Sequence, residues 1–166
     1  MKKIPYGRTD LETIICEGYY YVDKTRFIRN LEEEGGYVIF LRPRRYGKSI
    51  TIAMLQYYYD LRFADRFDKI FHDLDIGKNP TEKRSSYLVL SLNFSAVDPD
   101  KDRVEESFNT NLLFAFKSFA YAYRNILPED AEAKMEAHTK SNDAFKALCD
   151  MVTKIGRKMY VMIDEY

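Results

Sequence analysis

The sequence predicts an α/β protein in which a parallel sheet is flanked by helices. Three observations carry that expectation. Apolar runs rich in β-branched and aromatic residues stand at 37–41, 87–94 and 159–163, and read as strands buried on both faces. The segments between them are long enough for crossover helices and repeat their apolar residues at helical spacing. The first run leads into the turn Gly47-Lys48-Ser49, and the last closes on Asp164-Glu165.

The elements follow in order. Pro5 and Gly7 interrupt residues 1–17, and no early element is expected there. Asp23 stands where a helix N-cap belongs, ahead of 24–34 with Phe27, Ile28 and Leu31 on one face. Glu32-Glu33-Glu34 oppose the helix dipole at its end, and Gly35-Gly36 stops it. After the 37–41 strand, residues 50–63 read as a helix, with Tyr57-Tyr58-Tyr59 as packing residues. Phe67, Ile70, Phe71 and Leu74 suggest a short helix or packed loop before the turn at 77–80. In the 87–94 strand, Asn93 is placed to satisfy the following turn. The longest periodic segment is 103–123, whose phenylalanines form a core stripe. Residues 129–140 are charged and read as an exposed helix or link. Ser141 is the expected cap of a last helix carrying Ala144, Phe145, Leu148, Val152 and Ile155, with Gly156 ending it.

Length and composition suit a soluble, globular chain of 166 residues with 46% hydrophobic and 31% charged residues. Lys plus Arg and Asp plus Glu are 26 each, so charge gives no indication of a nucleic-acid partner. Cys16 and Cys149 lack metal-ligand spacing and read as reduced thiols, and no signal peptide or membrane-spanning run is visible. The expected compartment is the cytoplasm.

Strand, basic turn and Gly-Lys-Ser opening a helix form the layout of a phosphate-binding loop, or P-loop. Loop amides and the first helical turn present partial positive charge to one spot. Gly47 has no Cβ and lets the backbone approach an anion. Lys48 reaches terminal phosphates, and the Ser49 hydroxyl suits Mg²⁺. The full pattern asks for a glycine where Arg42 stands, so the tripeptide alone is a weak signal. The second motif strengthens it: an Asp after a buried strand binds Mg²⁺ in P-loop NTPases, and a Glu directly after it can act as general base.

The string Arg42-Pro43-Arg44-Arg45-Tyr46-Gly47-Lys48-Ser49 resembles the loop of the bacterial AAA-ATPase-like family, which also lacks the first glycine. Tyr21-Val22-Asp23-Lys24-Thr25 is similar to that family's Val-Asp-Lys-Thr signature, and Ile163-Asp164-Glu165-Tyr166 to its Walker B string. The resemblance implies a P-loop ATPase domain of which residues 1–166 form the front part, with 1–36 as a helical lead-in and 37–166 running from Walker A to Walker B. It implies that a further strand after Tyr166 lies between the two motif strands, so that 37–41 and 159–163 are not direct neighbours. A downstream nuclease-like domain is a common companion in such proteins, and homo-oligomers are a second expectation.

The expected function is binding of ATP with Mg²⁺, with hydrolysis in the complete protein. The expected catalytic residues are Glu165 and Lys48. The expected nucleotide contacts are Arg44, Arg45, Tyr46, Gly47, Lys48, Ser49 and Ile50, and the Mg²⁺ ligands are Ser49 and Asp164. Asp23-Lys24-Thr25 reads either as a nucleotide or inter-element contact or as a simple cap. The competing functional reading is a nucleotide-binding or interaction module without turnover, an inactive fragment of an ATPase.

Overall fold

The computed structural model describes residues 2–41, 43 and 46–165. The chain divides into two compact units, Met1–Ser86 and Tyr87–Tyr166. The regular elements among the described residues of the first unit are helices. Its helices are α1 (Leu11–Cys16), α2 (Phe27–Glu33), α3 (Lys48–Tyr59), α4 (Phe67–Phe71) and α5 (Asp75–Lys78), with a 3-10 segment at Leu61–Arg66. Leu11, Ile14, Ile28, Tyr58, Phe71 and Ile76 are fully buried and form its core.

Polar clasps fix this core. Asp10 caps α1 by accepting from Thr13 N at 2.8 Å and also accepts from the Tyr57 hydroxyl at 2.8 Å. Glu12 on α1 receives Arg66 at 3.0 Å and Lys69 at 2.9 Å. Arg29 reaches from α2 to Asp75 at 2.8 Å and to the Asn79 carbonyl at 2.6 Å. Glu32, one turn further on α2, accepts from Tyr59 at 3.1 Å and from Thr81 Oγ1 at 2.8 Å. The end of α3 is thereby tied to α2. Asp60 is fully buried but accepts from Arg62 Nε, whose one N–H is shared between its two oxygens, and from Arg62 Nη2, which offsets the cost of burying the charge. Gly77 is obligatory for a steric reason, because a Cβ there would overlap the Phe71 carbonyl.

The second unit is α/β. Strands β1 (Tyr87–Asn93) and β2 (Lys158–Asp164) pair in parallel from Tyr87 opposite Lys158 to Asn93 opposite Asp164. Helices α6 (Val104–Ala122), α7 (Ala131–Ala137) and α8 (Ser141–Lys154) lie between them in sequence. The phenylalanine stripe holds only in its second half: Phe116 and Phe119 are buried, but Phe108 and Phe114 are exposed, and α6 packs on β1 while α8 packs on β2. The charged 131–137 segment is a helix anchored by the buried Ala131 and Met135.

Several expectations are corrected. Residues 37–41 form no strand. Tyr37 is fully exposed, and Ile39 and Leu41 are 78% and 77% exposed. Strand propensity is realised only against a partner backbone, so composition alone does not make this run a strand. Asp23 does not cap α2, which begins three residues later behind Arg26. Ser141 does not cap α8; Asn109 on α6 does part of that work by accepting from Ser141 N at 2.7 Å. An early helix, α1, exists despite Pro5 and Gly7.

Candidate functional site

The Gly-Lys-Ser tripeptide opens a helix. Gly47 is the N-cap of α3 with φ 80°, in the left-handed region that suits glycine, and its carbonyl accepts from Thr51 N at 3.0 Å. A Cβ at this position would also lie 3.3 Å from Ile50 Cγ2. Lys48, Ser49 and Ile50 make up the first turn. Lys48 and Ile50 are half-buried, while Ser49 and the preceding Tyr46 are exposed. Among the described residues no side-chain cap hydrogen bond is made at this end. A 12-residue helix with such an N-terminus presents partial positive charge and amide donors, which fits a phosphate anion. The expected contacts Arg44 and Arg45, and Arg42 beside them, lie outside the described residues.

An open groove of about 370 Å³ runs from Ser49 along α3 past Ile52, Ala53 and Gln56 to Thr9, Asp10, Tyr57 and Phe63. Burial and the hydrogen bond to Asp10 push the Tyr57 hydroxyl up to about 12. The Thr13 hydrogen bond, against some desolvation, holds the Asp10 carboxyl below its ordinary value. At neutral pH the groove therefore carries a protonated phenol and a carboxylate.

In the second unit Asp164 is the last residue of β2, half-buried, with its carbonyl accepting from Phe94 N at 3.2 Å. The exposed Glu165 follows at φ 56°, an uncommon conformation for a residue with a side chain. Its N–H donates to Asp164 Oδ1 at 3.0 Å. The turn ends the strand abruptly and puts two carboxylates at its C-terminal end. Asn93, opposite Asp164 in the ladder, accepts from Ser95 N at 2.9 Å and satisfies its own turn as expected. Among the described residues no group of three or more His, Cys, Asp or Glu side chains is placed to hold a metal.

Asp23 and Thr25 are an inter-element contact. Asp23 Oδ1 accepts from Thr25 N at 2.8 Å and from Thr25 Oγ1 at 2.7 Å, while Oδ2 accepts from Asp75 N at 2.8 Å. Thr25 is fully buried, and its hydroxyl accepts from Ile76 N at 3.1 Å. Burial alone would raise the Asp23 carboxyl, but the hydrogen bonds from Thr25 and Asp75 outweigh it and hold it low. Two residues earlier, the Tyr21 hydroxyl lies 3.7 Å from Met54 Sδ on α3. Of the readings open for Asp23-Lys24-Thr25, the inter-element contact holds for Asp23 and Thr25 and the simple cap does not. The only local signal was Asp-x-Thr, which the Asx turn uses.

Local geometry thus defines an α/β protein with a glycine-led helix N-terminus and a strand ending in paired acids. The chain matches the AAA-ATPase-like family model, described as "Predicted AAA-ATPase", over residues 5–166, and it belongs to that family. Membership associates it with nucleotide binding and ATPase activity in general. A relative described as an uncharacterized protein in the vnfD 5′ region of Azotobacter chroococcum mcd 1 is 44% identical over 55 residues, which are 32% of this chain and 11% of that protein. No solved structure matches the chain. No helix among the described residues is long and apolar enough to cross a membrane.

Proposed function

We propose that the protein binds ATP with Mg²⁺ and, in its full-length form, hydrolyses it. The observation that supports this most directly is that α3 starts at a left-handed glycine, with no side-chain cap hydrogen bond among the described residues, and carries Lys48 and Ser49 in its first turn. In this reading the amides after Gly47, together with Tyr46, Ile50 and the arginines Arg44 and Arg45, cradle the phosphates. Lys48 neutralises charge that develops on them. Ser49 supplies a hydroxyl ligand and Asp164 a carboxylate ligand for Mg²⁺. Glu165 accepts the proton of the attacking water.

A second reading, nucleotide binding without turnover, draws support from residues 37–41. The run that leads into the loop is not a strand, so the loop lacks the rigid lead-in that catalytic positioning favours. Calorimetric titration with Mg²⁺-ATP tests the first step. Lys48→Ala should weaken binding at least tenfold, since a charge-assisted phosphate contact contributes about 1.5–3 kcal/mol. Equal affinities would remove Lys48 from the site. Glu165→Gln should keep binding and cut turnover by roughly 10²–10⁴-fold. A wild type that binds but never turns over selects the second reading.

A further inference from the structure

We draw no further inference here: the strongest candidate, the open groove along α3 from Ser49 to Phe63, starts at the proposed phosphate site and belongs to the site already described, and nothing in the structure shows what covers the rest of its length.

Discussion

Residues 37–41 and 87–93 are alike in composition and opposite in fate. Tyr-Val-Ile-Phe-Leu and Tyr-Leu-Val-Leu-Ser-Leu-Asn both carry strand-forming residues. The second is β1, with Leu88 and Leu90 at 0% and 1% exposure; the first is irregular, with Tyr37 at 100%. Propensity therefore does not separate them. β1 has a ladder to β2, the cover of α6 and, on its outer edge, the Tyr123 phenol, which accepts from Val89 N at 2.6 Å. Among the described residues no ladder includes 37–41, and strand-forming residues outside a ladder stay irregular.

The sharpest way to break this comparison is to delete the same kind of side chain from both runs. Leu90→Ala should cost about 2–5 kcal/mol in urea denaturation, while Ile39→Ala should change stability by no more than about 0.5 kcal/mol. Similar losses would mean that the 37–41 run is packed after all. A smaller effect sharpens the account of the edge. Tyr123→Phe leaves the Val89 N–H buried without its acceptor and should cost about 1–3 kcal/mol, with amide exchange at Val89 rising. Unchanged exchange there would remove the phenol from its role.

The smallest effect contrasts a backbone partner with a carboxylate partner. Asp23 has its folded value held below the unfolded one. Its contribution is present above the carboxylate range and is lost as pH falls through that range, below about 4. Asp23→Asn should cost on the order of 1 kcal/mol at pH 7 and flatten the acid limb of a thermal-melt pH series. The β1 variants should keep the wild-type limb. An unaltered limb in Asp23→Asn would mean that this contact does not depend on ionisation.

These contrasts also explain what was legible in the sequence. β1, β2, α6 and α8 fall within a residue or two of their expected limits, because periodicity and Gly156 are local signals. Gly47 as the start of α3 was legible for the same reason. For Asp23 the inter-element contact stood open beside the simple cap, and the partner that decides between them, Asp75 N, lies 52 residues away. Asn109 serves α8 from 32 residues upstream, which made Ser141 look like the cap it is not. The failure at 37–41 is of the same kind: its residues state a preference, and only tertiary structure supplies the answer. The helix α1 was readable after all, from Asp10 three residues ahead of Thr13.

The β1–β2 register has a consequence in time. Tyr87 pairs with Lys158, so about 70 residues of chain must be made after β1 begins before its partner exists. At about 5–20 residues per second, β1 spends roughly 4–14 s on the ribosome as an apolar segment without a ladder. During that interval α6 is already complete and can cover Leu88 and Leu90, and Tyr123 can already hold Val89. The phenol that ends the sheet in the finished protein is thus available as the first partner β1 meets during synthesis.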